Sequence, residues 1–326
     1  MSGRAGFTRI GIVGLGLIGG SVALAVRRAW PAAALAGVDA DAAAVREARA
    51  RGVVDEASCD LDALDKADVI VLAAPVRANA AVLAALAARG GVARREDVLL
   101  TDTGSTKRDI LAAARRAGVQ NRFVGGHPLA GAAVAGLTHA RASLFDERPW
   151  LLTPDGDTPS EHLARLERFV AALGAVPTVV SADGHDRVMA AVSHLPQLVA
   201  SALMQVAGEM AGADGLAFAG KGLTDTTRLA SSPPAIWRDV CAANADHLAP
   251  AIGRLIEVLA RLRADLPRGD ALEEVFTSAR HWRRAIEPQA RGVGPRTPSP
   301  TPESEGGPAG PGTPGGPAAR RRPGGS

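Results

Sequence analysis

The sequence predicts an α/β protein: a doubly wound parallel sheet covered by helices, then an all-helical domain, then a disordered tail. Short apolar runs alternate with alanine-rich helical patterns through residues 1–182, an alternation typical of a parallel sheet with helices on both faces. From 183 to 290 the pattern is almost entirely helical. Residues 291–326 hold nine prolines and ten glycines, and such a segment has too little apolar surface to offset its ordering entropy.

The individual elements follow from these patterns. Strands are predicted at 10–13, 35–39, 69–73, 98–102, 123–125, 150–153 and 177–180. Helices of the first domain are predicted at 41–50, 77–88, 106–117 and 161–173. In the second domain, leucines at helical spacing predict helices at 184–210, 248–266 and 270–286.

Charge and cysteine content exclude several classes of protein. The net charge of +3 belongs to the tail, which holds five arginines and two glutamates, so the rest of the chain is neutral. A neutral body gives no indication of a nucleic-acid partner. Two cysteines, Cys59 and Cys241, are too few for a disulfide scaffold or a cysteine-built zinc site, so we predict no metal and a cytoplasmic protein.

One uncharged stretch, 10–26, superficially resembles a signal peptide or membrane span. It contains five glycines, which are poor helix formers, and it is shorter than the roughly 20 residues that a span needs. We therefore expect no membrane association.

The glycines of this stretch form a turn between the first strand and the first helix, Gly14-Leu15-Gly16-Leu17-Ile18-Gly19. Gly14 allows the tight turn, Gly16 lets the backbone approach a pyrophosphate, and Gly19 lets helix and strand pack closely. Leu17 and Ile18 begin the helix, whose N-terminus attracts phosphate.

A carboxylate strengthens the pattern. Asp39 lies 20 residues beyond Gly19 at the end of the second strand, where it can accept both adenosine ribose hydroxyls and would repel a 2′-phosphate. The sequence thus predicts a Rossmann-type domain that binds NAD rather than NADP. The alternative is a glycine-rich packing turn followed by a solvent-exposed Asp39.

Polar residues follow two further predicted strands, where ligands of parallel sheets bind. Ser105 lies in 101–107, after the strand at 98–102; it could act in chemistry or be the N-cap of the next helix. His127 lies among small residues and before Pro128. Its imidazole could accept a proton near neutral pH, or it could be an ordinary loop histidine.

Two candidate groups lie in the helical domain. His194, Gln197 and Ser201 share one face of an otherwise apolar helix, as in a cavity lining or a buried network, and Pro196 can open that helix locally. Further on, Arg228 could grip a carboxylate or pair with Asp225 on a helix surface.

Together these segments resemble the prephenate/arogenate dehydrogenase family of tyrosine biosynthesis. The matching pieces are 14–21, Asp39, 101–107, 127–131, 193–196 and 224–237, which ends at Trp237, in family order. The resemblance covers about residues 8–286.

The resemblance implies an NAD-dependent oxidative decarboxylation. The substrate is prephenate, giving 4-hydroxyphenylpyruvate, or arogenate, giving tyrosine. His127 would accept the hydrogen bond of the C4 hydroxyl, and Ser105 would bond His127 or that hydroxyl. His194 and Arg228 match positions that bind carboxylate and side chain, Trp237 matches a pocket wall, and a homodimer through the helical domain is implied.

Some positions depart from the family pattern or support other interpretations. Ala132 and Ala133 stand where the family often has a polar residue and then Glu, which favours prephenate over arogenate. Gln197 replaces a frequent His, and His185-Asp186 matches a family pair that we interpret as structural. The alternatives are a 3-hydroxyisobutyrate-type or 6-phosphogluconate-type dehydrogenase, for which Lys221 would be the catalytic lysine, and a non-catalytic NAD sensor.

Overall fold

The computed structural model describes residues 6–93, 95–131 and 134–286. Eight strands form one sheet in the order β3-β2-β1-β4-β5-β6-β7-β8. They are β1 (Arg9–Val13), β2 (Ala34–Val38), β3 (Glu56–Ser58), β4 (Val69–Leu72), β5 (Leu99–Asp102), β6 (Phe123–Pro128), β7 (Pro149–Pro154) and β8 (Val176–Val179). The chain runs outward from β1 to β3 and then returns to β4 on the other side of β1, so the strand order reverses between β1 and β4, where ligands of such sheets bind.

Helices cover both faces of the sheet and continue beyond it. They are α1 (Leu17–Ala29), α2 (Ala42–Ala50), α3 (Val76–Ala88), α4 (Gly90–Ala93), α5 (Arg108–Arg116), α6 (Ser160–Ala172), α7 (Ala182–Met189), α8 (Leu195–Leu216), α9 (Lys221–Thr226), α10 (Pro234–Ala243), α11 (Ala245–Asp265) and α12 (Asp270–Ala285).

The sheet is buried on both faces because successive residues of its central strands place apolar side chains on alternate faces. Ile10 and Ile12 of β1 and Val71 of β4 belong to one core cluster, whereas Ile70 and Leu72 belong to the cluster on the opposite face. This alternation is what parallel strands between two helical layers require.

The predicted fold class is confirmed, and three details differ. Strands β1 to β6 pair in parallel, but β7 is antiparallel to β6, whereas we expected a parallel sheet throughout. The short edge strand β3 was not predicted, and the helix expected from residue 106 begins at Arg108.

The long helix predicted at 184–210 is interrupted. A π-helical turn, Ala190–His194, separates α7 from α8 and ends two residues before Pro196. Proline lacks the backbone N–H that a continuous α-helix would use there. The stretch 182–216 is long and apolar enough to cross a membrane by length and composition alone, a test that the core helix of a soluble protein also passes.

Contacts divide the described residues into one unit up to Arg263 and a second from Ala264 onward. In the second unit Asp265 accepts a hydrogen bond from the Ala271 N–H at 2.6 Å, which fixes the turn before α12. The predicted domain boundary at 182/183 lies within α7, near its start. Ala132, Ala133 and the predicted disordered tail, 291–326, lie outside the described residues.

Candidate active site

Of the three glycines in the turn after β1, two are required by the backbone and one leaves open space. Gly14 has a φ of +92°, and a Cβ there would lie 2.6 Å from the carbonyl carbon of Ala73. A Cβ on Gly19 would overlap the carbonyl oxygen of Gly14, whereas a Cβ on Gly16 would meet open space. The fold therefore requires glycine at 14 and 19, and the space beside Gly16 is what a pyrophosphate needs.

Asp39 lies beside this turn, just after β2. Its Oδ2 accepts the Leu15 N–H at 2.7 Å, and its Oδ1 accepts the Asp41 N–H at 2.9 Å. Asp41 instead caps α2 by accepting the Ala43 N–H at 2.8 Å. Asp39 is thus the carboxylate held against the glycine turn.

These residues fit a bound dinucleotide. Helix α1 is capped by Gly16, which has no side chain, and has no acidic residue in its first turn. Its first N–H groups, including those of Leu17 and Ile18, are therefore available to a phosphate together with the positive end of the helix dipole. The carboxylate of Asp39 is half-buried and retains further acceptor capacity for ribose hydroxyls.

The loop after β5 carries Ser105, which is half-buried. The helix that follows has Lys107 at its N-cap position, without a side-chain cap. The alternative interpretation of Ser105 as an N-cap is therefore wrong. In the described part of the chain its hydroxyl has no hydrogen-bond partner, so it is available to a ligand.

A buried ion pair stiffens this loop. Lys107 Nζ contacts Asp102 Oδ1 at 2.6 Å and donates to the carbonyl of Gly126 at 2.6 Å. Asp102 also accepts the N–H groups of Gly104 and Gly126, at 2.8 and 3.0 Å. Burial lowers the pKa of Lys107, although Asp102 opposes that shift. The pair therefore fixes the backbone of β6 one residue before His127.

His127 lies near the end of β6 and is half-buried. Its Nδ1 is 2.9 Å from Nε2 of His185. Burial, followed by the charges of His185, Lys107 and His194, holds the pKa of His127 well below 6.5, with Asp186 acting in the opposite direction. The imidazole is therefore neutral at neutral pH and able to accept a proton.

His185 and Asp186 continue this chain of hydrogen bonds on α7, and both are buried. His185 Nδ1 lies 2.8 Å from Asp186 Oδ1. Asp186 also accepts the backbone N–H groups of Lys107 and Arg108, at 2.7 and 3.0 Å. Burial raises the pKa of Asp186, but the bonds from His185, Arg108 and Lys107 outweigh it and hold that pKa below its usual value.

The π-helical turn ends at His194, which is fully buried. Asn244 Nδ2 lies 3.1 Å from His194 Nδ1 and donates to the Asp186 carbonyl at 2.7 Å. Burial lowers the pKa of His194 to about 4, with smaller and partly opposing effects of Asp186, His185 and the Ser105 backbone. Its Nε2 makes no hydrogen bond of good geometry with the described residues.

Gln197 holds the turn that carries Arg228. Its Nε2 donates to the Leu229 carbonyl at 2.7 Å, and its Oε1 accepts from Ser232 at 3.2 Å. The turn itself is a 3₁₀ turn, Arg228–Ser231. Gln197 thus has a structural contact on both ends of its amide, while it also lines a cleft of about 480 Å³.

Trp237 lines this cleft, and Arg228 begins the 3₁₀ turn whose Ala230 also lines it. The ring of Trp237 lies 6.0 Å from that of His194, edge to face. Arg228 is exposed, and within the described ranges its guanidinium forms no ion pair, so the alternative pairing with Asp225 is not observed. Its charge is available to a ligand.

Two residues of the site were not predicted from the sequence. Asn244 joins His194 to Asp186, and Arg108 bonds Asp186, Asn244 and Asp246, at 3.2, 3.3 and 2.5 Å. The sequence did hold a signal for Arg108, because charged residues stand at both ends of 102–108, where the strand predicted at 98–102 ends. The partner of Arg108, however, is more than 70 residues away.

The structure brings His127, His185, Asp186 and His194 into one cluster at the carboxyl edge of the sheet, the edge that also bears the glycine turn and Asp39. A Rossmann-type turn and a neutral imidazole at that edge define a dinucleotide-binding oxidoreductase.

Comparisons with known proteins narrow this class. Family models described as the nucleotide-binding domain and the dimerization domain of prephenate dehydrogenase match residues 22–179 and 181–278. A cyclohexadienyl dehydrogenase from Zymomonas mobilis is 33% identical over 86% of this chain and 97% of its own. A prephenate dehydrogenase from Bacillus subtilis is 31% identical, over 87% of this chain and 77% of its own.

Two solved structures agree with these matches. The prephenate dehydrogenase of Aquifex aeolicus, solved with hydroxyphenyl propionate and NAD+, has a TM-score of 0.80 and 28% identity, covering 87% of this chain and all of that one. The arogenate dehydrogenase of Synechocystis has a TM-score of 0.70 and 29% identity, covering 85% of this chain and all of that one. The chain belongs to the prephenate dehydrogenase family, the oxidoreductase family of tyrosine biosynthesis that its sequence resembles.

Proposed function

We propose that this protein is an NAD-dependent prephenate dehydrogenase that converts prephenate to 4-hydroxyphenylpyruvate and carbon dioxide. The observation that carries the proposal is the neutral imidazole of His127, bonded at Nδ1 to His185 and lying at the same sheet edge as the glycine turn. Such a group accepts the proton of an alcohol that is being oxidised.

NAD would be held by the start of α1, by the open space at Gly16 and by Asp39. When bound, the nicotinamide accepts the hydride that leaves C4 of the substrate. The negative charge of Asp39 would repel the additional 2′-phosphate of NADP. The chain's own contribution is therefore to place the substrate ring and to manage one proton.

His127 manages that proton. Nε2 accepts the hydrogen bond of the C4 hydroxyl and takes its proton as C4 becomes a carbonyl. The proton returns to the same oxygen when the ring carboxylate leaves as carbon dioxide and the ring becomes aromatic. The hydroxyl of Ser105, on the neighbouring strand end, would bond the same substrate oxygen, since both ring nitrogens of His127 are then already bonded.

The two carboxylates of prephenate need cationic or hydrogen-bond-donating partners. Arg228 is exposed and has no ion pair in the described part of the chain, so it can form a bidentate pair. His194 accepts from Asn244 at Nδ1, so its neutral ring carries the proton at Nε2 and can donate there. Trp237 would contact the substrate ring from the side of the cleft.

We also propose that the protein acts as a homodimer through its helical part, in keeping with the matched dimerization domain. Val206 and Met210 of α8, and Ile256 and Leu259 of α11, are between 51 and 83% exposed. Large apolar side chains that are this exposed are typical of an interface when they share a surface.

The test is turnover by the purified protein with prephenate and NAD, followed by the absorbance of the reduced nicotinamide and by identification of the aromatic product. Parallel assays replace prephenate with arogenate, which the Synechocystis relative's name suggests, and NAD with NADP. We expect the highest kcat/KM with prephenate and NAD. A higher kcat/KM with arogenate would contradict the substrate assignment, and no turnover of either would contradict the proposed reaction.

A further inference from the structure

His185 and Asp186 stand behind His127 in one line of hydrogen bonds that ends at a carboxylate. Asp186 Oδ1 is 2.8 Å from His185 Nδ1, and His185 Nε2 is 2.9 Å from His127 Nδ1. His185 and Asp186 are no more than 1% exposed. The sequence indicated a structural role for this pair, but the line leads directly to the proposed proton acceptor.

The direction of each hydrogen bond follows from the carboxylate. Both oxygens of Asp186 already accept backbone N–H groups, Oδ1 from Lys107 and Oδ2 from Arg108. The carboxylate is therefore an acceptor on both sides. The hydrogen between Asp186 and His185 must therefore be on His185 Nδ1. A neutral His185 then has a bare Nε2, which can only accept.

The tautomer of His127 follows from that of His185. Because His185 Nε2 accepts, the hydrogen in the 2.9 Å contact is on Nδ1 of His127. A neutral His127 consequently has its lone pair on Nε2, the nitrogen that makes no hydrogen bond with the described residues. That is the tautomer that a proton acceptor needs, and an unsupported imidazole would divide its population between both tautomers.

We propose that His185 and Asp186 are positioning residues that fix His127 in the tautomer with an unprotonated Nε2. The hydrogen-bond chain stands on the geometry alone; its catalytic consequence rests on the proposed function. The logic is that of any acid–histidine pair, in which the carboxylate orients the ring and selects its tautomer, with one more imidazole between the carboxylate and the acting ring.

Asp186→Asn reverses the line. The amide oxygen of Asn would take the place of Oδ2, because that oxygen accepts both the backbone N–H and the Nε–H of the Arg108 cation. The NH₂ would then take the place of Oδ1, lose the bond from the Lys107 N–H, and face His185 Nδ1, which would have to accept. His185 would then donate from Nε2, His127 would accept at Nδ1, and His127 Nε2 would carry a hydrogen. We expect kcat to fall by about 10²-fold or more, with KM for prephenate and Kd for NAD within about twofold.

Long-range ¹H–¹⁵N NMR of ¹⁵N-labelled protein reads the tautomer directly, a property that loss of packing alone would not reverse. The His127 signals are assigned by their absence in His127→Asn. We expect protonated Nδ1 in the unmodified protein and protonated Nε2 in Asp186→Asn. The control is Asp183→Asn, an exposed carboxylate on the same helix whose side chain is 60% exposed, which should change neither the tautomer nor kcat.

A second pair of variants keeps the proposal testable if Asp186→Asn does not fold. Gln at position 185 can donate its NH₂ to Asp186 and accept the His127 Nδ1–H with its oxygen, whereas Leu can do neither. We expect His185→Gln to preserve the tautomer and at least a tenth of kcat, and His185→Leu to lose both. Equal losses in the two variants, or protonated Nε2 in the unmodified protein, would overturn the proposal.

The NMR result also separates this inference from the proposed function. If the unmodified protein does not oxidise prephenate, the function assignment fails, while the tautomer of His127 and its reversal in Asp186→Asn still test the hydrogen-bond chain.

Discussion

The two sides of the candidate site differ in how much of their geometry is set before any ligand arrives. On the imidazole side, His185 and Asp186 are buried, and His127 is already bonded to His185. On the arginine side, Arg228 is exposed and its guanidinium has no ion pair in the described part of the chain. One side is preorganised by folding, and the other must be ordered by the substrate.

The elements that carry the two sides explain this difference. His127 lies on a strand whose backbone is held by the buried Asp102–Lys107 pair, and its partners lie on a packed helix. Arg228 lies on a four-residue 3₁₀ turn held by Gln197. Preorganised groups lower the barrier of the chemical step, whereas a group ordered on binding acts mainly on affinity. Variants on the two sides should therefore have different kinetic signatures.

The largest effect should come from replacing His127. His127→Asn removes the proton acceptor, whose contribution grows toward the transition state, so kcat with prephenate should fall by roughly 10²–10⁴-fold with little change in KM. Steady-state kinetics with saturating NAD measure this. A change confined to KM would mean that His127, like Arg228, acts on substrate binding. The difference between the two sides of the site would then be wrong.

The second-largest effect should be a loss of folding stability in acid, caused by the buried imidazole of His194. The pKa of His194 is about 4 when folded and about 6.5 when unfolded, so between these values the unfolded chain binds a proton that the folded chain does not. Stability that is present above pH 6.5 is lost as pH falls toward 4, at about 1.4 kcal/mol per pH unit, or about 3 kcal/mol in all.

Urea unfolding at pH 7, 5.5 and 4 measures this loss. His194→Asn should show a smaller dependence on pH than the unmodified protein, by about one proton. His139→Asn, a change of an exposed histidine, should match the unmodified protein. Equal dependences for His194→Asn and His139→Asn would show that burial of His194 is not the cause.

Replacing Arg228 should produce a smaller effect on the other kinetic constant. Arg228→Ala removes a carboxylate partner used in both ground state and transition state, so KM for prephenate should rise about 10- to 100-fold, or about 1.4–2.8 kcal/mol. The control is Arg51→Ala, whose arginine pairs with Glu47 on the surface of α2. An unchanged KM in Arg228→Ala would remove Arg228 from the site.

The smallest effect should come from replacing Asp39, whose carboxylate accepts the Leu15 N–H but is only half-buried. Asp39→Ser should weaken NAD binding on the order of tenfold, since a charged hydrogen-bond acceptor is lost, and should narrow the preference for NAD over NADP. Asp41→Ser, which changes only the cap of α2, serves as the control. Isothermal titration with both dinucleotides reads the ratio, and an unchanged ratio would leave the carboxylate without a role in cofactor choice.

Much of the fold followed from the sequence because the parallel strands are continuous apolar runs. Glu56–Ser58 escaped prediction because β3 has three residues and no apolar run. The reversal of β7 was not predicted because a buried strand has the same composition in either direction. The π-helical turn before Pro196 could be anticipated, because the missing N–H of a proline disturbs the helix locally.

The site was predictable residue by residue but not as a network. His127 and His194 were each proposed from their positions at a strand end and on a helix face. The contact between His127 and His185 joins residues 58 positions apart, and no periodicity encodes such a pairing. Asn244 was not predicted for the same reason, because its contacts with Asp186 and His194 join residues 58 and 50 positions apart.

The glycine turn also bears on how this chain could change over evolutionary time. Gly14 and Gly19 are required by the backbone itself, while the Cβ of any residue at 16 would project into open space. Selection for folding alone would therefore retain the first and third glycines and leave the second free to drift. A descendant that keeps Gly14 and Gly19 but has lost Gly16 would be expected to retain the fold without binding the dinucleotide.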